Sequence, residues 1–172
     1  AERVGCRVWV ECYDLVRASC HDLLNDDLFN AFLQKAKVGT YQIIMGGPPC
    51  GTWSRARHRG PPGPPPVRSR VHLWGLPDSS GKLRRDCLAG SMLAWRTLQL
   101  CRAGADSGGF YWIEHPADPG RPPFPSLFAT PECLSLAADT GGTMTLLDQC
   151  RFGAASKKPT QILSNIPGME SV

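Results

Sequence analysis

The sequence predicts an α/β fold: one domain over residues 1–172, an open sheet with helices on both faces, expected to be incomplete at the N-terminus. Three observations predict it. Two short apolar runs, Tyr41–Met45 and Phe110–Ile113, read as buried strands. Each stops on residues that cannot continue a strand comfortably, Gly46-Gly47-Pro48-Pro49 after the first and Glu114-His115-Pro116 after the second. Segments with helical apolar spacing lie before and between these runs, the alternation that builds βαβ units.

The elements follow in chain order. Val4 to Val10 is rich in β-branched and aromatic residues and is expected to be the first strand. It runs into Glu11 and Asp14. An acid just past a strand end is where nucleotide-binding sheets hold ribose hydroxyls, so both are candidates for cofactor binding. Cys20-His21-Asp22-Leu23-Leu24 is expected to place Asp22 at another strand end. Asn25 or Asp26 then caps a helix with Asp27 in its first turn, where the dipole favours acids. Leu28, Phe29, Phe32 and Leu33 form its apolar face, Lys35 and Lys37 lie near its end, and Gly39 stops it. The strand leading to Cys50 comes next, closing a βαβ-like unit with a right-handed crossover.

Residues 55–84 form a proline- and arginine-rich loop. The run Gly60-Pro61-Pro62-Gly63-Pro64-Pro65-Pro66 fits neither ladder nor helix, and Arg55, Arg57, His58, Arg59, Arg68 and Arg70 surround it. A stiff basic loop beside a nucleophile suits the grip of a phosphate backbone. Arg85 to Arg102 is helical, with Leu88, Met92, Trp95, Leu98 and Cys101 expected on one core stripe and Gly104 ending it. After the strand at Phe110, Glu114 stands at a strand end beside aromatic and β-branched residues, and burial of a carboxyl favours its neutral, proton-holding form. A short helix is expected over Pro131–Leu136, a strand over Thr143–Leu147 after Gly141-Gly142, and a last strand over Gln161–Ser164.

Cys50 is the residue around which this plan turns. In open α/β sheets, ligands bind beyond the carboxyl ends of the strands. The two prolines stiffen the backbone and aim the side chain, and the two glycines admit a ligand close to the main chain. A thiol there is a nucleophile in waiting. The eight cysteines contain no Cys-x-x-Cys pair, so structural zinc is not expected and no metal is assigned. Cysteines inside apolar runs point to a reducing, intracellular setting. No signal peptide or membrane-length apolar run is present. The net charge of +4, with pI near 8.7, accommodates a polyanionic partner. The chain opens on Ala1 and directly into a strand-like run, and is read as a monomer or as part of a larger polypeptide.

Gly46-Gly47-Pro48-Pro49-Cys50 with Trp53-Ser54 resembles the nucleophile motif of the DNA cytosine-5 methyltransferases, usually Gly-Gly-Pro-Pro-Cys-Gln-aromatic-Ser. Glu114-His115-Pro116 is similar to the family's Glu-Asn-Val or Glu-Asn-Pro, with His in place of Asn. Gln149 and Arg151 match the first two fixed positions of its Gln-x-Arg-x-Arg, with Gly153 replacing the last. Lys157-Lys158-Pro159-Thr160 before a strand resembles the compact, phage- and retroelement-type branch. The resemblance implies a Rossmann-like S-adenosylmethionine-dependent methyltransferase sheet, with DNA as partner and S-adenosylmethionine as cofactor. It assigns Cys50, Glu114 and Arg151 to catalysis and Glu11, Asp14, Asp22 and Pro48 to the cofactor. Gln149 from the Gln-x-Arg motif, and Arg55, Arg57 and Arg59 from the basic loop, are the candidates for nucleic acid. The family's first motif, Phe-x-Gly-x-Gly, has no match before Glu11. The alternative is therefore a catalytically inactive, nucleic-acid-binding relative, for example part of a retroelement polyprotein. A cysteine hydrolase pairing Cys50 with His58 or His115 is weaker, because no oriented base or oxyanion site is legible.

Overall fold

The structure is a computed structural model and describes residues 7–155 and 157–169. Its helices are α1 (Asp26–Lys37), α2 (Gly81–Asp106) and α3 (Pro131–Thr140). Its strands are β1 (Ile43–Gly46), β2 (Phe110–Pro116), β3 (Thr143–Asp148) and β4 (Pro159–Ser164). The sheet order is β1-β2-β4-β3. β1 and β2 run parallel, and β4 is antiparallel to both neighbours, so the α/β sheet is mixed. The parallel pair is joined through α2, the βαβ unit of this chain.

Local chemistry sets most boundaries. The Asn25 side chain accepts the Leu28 N–H at 3.1 Å, Asp26 and Asp27 sit in the first turn of α1, and Gly39 leaves the helix at φ +73°. Thr130 caps α3 by accepting the Cys133 N–H at 3.3 Å, with Pro131 in the first turn and Gly141 left-handed at its end. Alternation on β2 buries Tyr111, Ile113 and His115 on the face covered by α2. Tyr111 and Ile113 join Trp53, Ala94, Leu98, Cys101, Leu127, Phe128, Cys133, Leu136 and Leu163 in one core. Burial pushes the Cys101 thiol up and that of Cys133 up to about 12, so both are inert packing groups.

Several expectations are corrected. Residues 7–10 form no strand, and Trp9 is 91% exposed; residues 4–6 of that expected strand lie outside the described residues. β-propensity without a partner edge does not make a strand. Glu11 and Asp14 therefore do not follow a strand end. Nor does Asp22, which leaves a single 3₁₀ turn at Ser19–His21 and accepts the Leu24 N–H at 2.9 Å.

On α2, Leu88, Met92 and Trp95 are exposed, and the buried line is Cys87, Gly90, Ala94, Leu98 and Cys101. Close packing selects the small residues: a Cβ on Gly90 would lie 3.1 Å from Thr52 Oγ1. Gly104 does not end the helix. It admits Ile44, whose Cδ1 would lie 2.6 Å from a Cβ there. α1 and α3 both pack on α2, and the opposite face of β1 and β2 leaves Ile43, Met45 and Phe110 exposed among the described residues. The sheet is thus covered by helices on one side at this edge, not on both. No helix of the described residues is long and apolar enough to cross a membrane.

Candidate functional site

β1 delivers the chain to the elbow Gly46–Cys50. Gly46 packs where any side chain would collide with Thr97 of α2, and Pro48 is buried. The turn closes with the Trp53 N–H donating to the Cys50 carbonyl at 3.0 Å. Trp53 is buried as a wedge, with the Arg68 guanidinium 4.0 Å over its ring and Trp74 and His115 edge-on at 5.6 and 5.7 Å.

Arg68 is 1% exposed and is the hub beneath the elbow. It donates to Thr52 Oγ1 at 3.1 and 3.0 Å, and to the Leu73 carbonyl, Ser91 Oγ and the Cys87 carbonyl at 2.9 Å each. Burial lowers its pKa to about 10. Ser54 accepts the Ala56 N–H at 3.2 Å and starts the turn Arg55–Arg59. Arg57 donates to the Gly51 carbonyl at 2.6 Å and the Pro65 carbonyl at 3.0 Å, tying the proline run back to the elbow. Cys50 is left half-buried on a braced loop.

Glu114 comes from the neighbouring strand. Its Oε1 accepts from Gln149 Nε2 at 3.3 Å and faces Lys158 Nζ at 3.4 Å. Its Oε2 points at the elbow, 3.8 Å from where a Gly47 Cβ would be. His115, one residue on, is 1% exposed, and neither ring nitrogen has a partner among the described residues. Its pKa is lowered to about 3, by burial first and then by Lys158 and Arg68, so the ring is neutral.

Two cavities meet at the elbow. One, of about 440 Å³, is lined by Cys50, Arg55, Arg59, His115, Lys157 and Lys158 among others. The second, of about 400 Å³, is lined by Asp14, Asp22, Leu23, Ile44, Gly46, Gly47, Pro48 and Thr97 among others. Both sizes fall in the range of small-ligand sites. Asp14 and Asp22 each spend one oxygen on a local N–H, of Val16 and Leu24, at 2.9 Å; the other carries no hydrogen bond among the described residues.

The sequence-assigned residues therefore fall into groups. Cys50, Arg55 and Arg59 share the first cavity; Asp14, Asp22 and Pro48 share the second. Glu114 and Gln149 are joined beside the elbow. Glu11 lies apart: its carboxylate holds Lys35 at 3.1 Å and accepts the Tyr41 O–H at 2.8 Å, and Tyr41 first and Lys35 second keep it below the usual carboxylate range. Arg57 is committed to backbone carbonyls, and Arg151 is exposed without a partner among the described residues.

Sequence reading missed Arg68 as the brace and His115, Lys157 and Lys158 as lining. The double lysine before a strand was the one available signal for the last two. No group of His, Cys, Asp and Glu among the described residues is arranged to hold a metal ion. Among known proteins, no family model, curated protein or solved structure matches this chain.

Proposed function

We propose that this chain carries the catalytic core of a DNA cytosine-5 methyltransferase. One observation supports this reading above the others: a single proline elbow divides a cavity holding a cysteine among cations from a cavity holding two carboxylates, and Glu114, which lines neither, borders Gly46 and Gly47 of the elbow from a third, smaller pocket.

The chemistry needs these groups. Carbon 5 of cytosine is a poor nucleophile. Attack of the Cys50 thiolate at carbon 6 makes the ring an enamine, whose carbon 5 takes the methyl group; loss of the carbon 5 proton and of the thiolate then restores the ring. Glu114, on the neighbouring strand, hydrogen-bonds the pyrimidine edge and stabilises charge at nitrogen 3. The base leaves the duplex to reach the sulfur. Arg55 and Arg59 face the phosphates.

The second cavity suits S-adenosylmethionine. Asp14 and Asp22 offer free carboxylate oxygens to hydroxyl and amino groups, and Leu23, Ile44, Leu93 and Leu100 offer an apolar floor. When bound, that cofactor supplies the methyl group.

The test is covalent trapping on DNA containing 5-fluorocytosine with S-adenosylmethionine present. Wild-type chain should form the adduct, and Cys50→Ala should abolish it while leaving duplex affinity within about twofold; equal trapping by the variant refutes the reading. A specific observation favours the inactive, nucleic-acid-binding alternative: Glu11 is spent on Lys35 and Tyr41, and no strand precedes it among the described residues. Duplex binding without detectable S-adenosylmethionine binding would select that alternative.

A further inference from the structure

The Cys50 cavity contains more positive charge than a pyrimidine ring needs. Arg55 and Arg59 line it with no ion pair or side-chain hydrogen bond among the described residues. Lys157 and Lys158 line it from the approach to β4, with weak ties: Lys157 to Asp148 at 3.1 Å with the lysine largely exposed, and Lys158 to Glu114 at 3.4 Å with both groups about a third exposed or more. The one carboxylate on the lining, Asp118, is neutralised by Arg70 at 2.6 Å. His115 also lines the cavity, its buried ring left with both nitrogens unpartnered among the described residues and clamped edge-on by Trp53 and Phe128 at 5.7 and 6.1 Å. Buried polar groups left without partners are rare and mark places where something else completes the bonding.

We infer that this cavity holds a phosphate group of the substrate nucleotide, on Arg55, Arg59, Lys157 and Lys158 with a hydrogen bond from the His115 ring, and that Lys158 leaves Glu114 to reach it. This rests on the reading of Cys50 and Glu114 as a nucleotide site. A phosphate oxygen gives a lysine a stronger charge-assisted bond than a long, half-exposed carboxylate pair does. The exchange has a consequence. Glu114 is held by Lys158 and Gln149 until a phosphate arrives, and then keeps only the neutral Gln149 tie and turns toward the base. Phosphate binding and base binding are therefore coupled through one ammonium group, with Lys158 as the positioning residue.

The experiment uses the full chain and three probes: inorganic phosphate, deoxycytidine and deoxycytidine 5′-monophosphate, with affinities from calorimetry. The monophosphate should bind at least tenfold tighter than the nucleoside. Lys158→Met should remove most of that preference by weakening the monophosphate while leaving the nucleoside equal or tighter, because Glu114 is then held only by Gln149. Glu114→Gln should leave inorganic phosphate equal or tighter, because Lys158 is already free. His115→Phe should weaken inorganic phosphate several-fold.

Equal binding of nucleoside and monophosphate, no phosphate binding at all, or parallel weakening of both nucleotide probes by Lys158→Met would overturn the inference. Phosphate binding as described without trapping on 5-fluorocytosine DNA would sink the methyltransferase reading alone. Trapping without phosphate preference would sink only this inference.

Discussion

The cavity beside Cys50 rests on Trp53 and His115, both almost fully buried, and on Arg68, whose guanidinium is bonded on every side. The cavity across the elbow is walled on one side by α2 and β1 and on the other by residues 13–23, a run of turns. That run docks through Tyr13 on Phe32 at 4.2 Å, through Arg96 to the Leu23 carbonyl and Asp26, and through Glu11 just upstream. The Cys50 side of the elbow is thus fixed by the core, while the shape of the other cavity depends on a few polar ties. Mutation should separate the two.

The largest effect should come from Arg68→Ala. It leaves the elbow unbraced and empties a buried site, with an expected loss of roughly 3 kcal/mol of stability and of Cys50 adduct formation together. Denaturant midpoints check this, and an unchanged midpoint would mean the brace is incidental.

A smaller effect concerns acid. His115 falls from its ordinary 6.5 to about 3 in the fold, so the unfolded chain binds the extra proton between those values. The stability is complete above about pH 6.5 and declines as pH falls toward 3. His115→Gln should flatten that decline in melting temperature, and a parallel decline in the variant would refute it.

The smallest effect belongs to Glu11→Gln. It should speed amide exchange over residues 11–24 and weaken S-adenosylmethionine a few-fold without changing the rate of adduct formation. Wild type should show the same loosening as pH drops below the carboxylate range, since the tie needs the ionised form. If trapping slowed equally, the two sides would not be separable.

What was legible in the sequence was what short-range chemistry dictates. Asn25 and Gly39 mark α1, Gly141-Gly142 marks the start of β3, and the elbow announces itself through its glycines and prolines. The closeness of Glu114 to that elbow was also legible, because a parallel pair puts both strand ends on one side. What was illegible was long-range. β4 inserts between β2 and β3, which brings Lys158 to Glu114, and no local pattern encodes that register. On α2 the helical spacing places Leu98 and Cys101 correctly in the core but not Leu88, Met92 and Trp95, which are exposed, because the approach of Thr52 selects Gly90 on the packed line. The strand expected over Val4–Val10 was read from propensity, and propensity supplies no partner.

On the proposed nucleic-acid reading, the ties made by the arginines around the proline run also set the salt dependence of binding. Arg57 is consumed by two carbonyls, Arg68 by the elbow and Arg70 by Asp118, which leaves Arg55 and Arg59 to displace counterions. At about −0.9 in log affinity per log salt for each phosphate neutralised, this loop contributes a slope near −2 rather than one in proportion to its basic residues. Most of the positive charge written there serves as internal mortar.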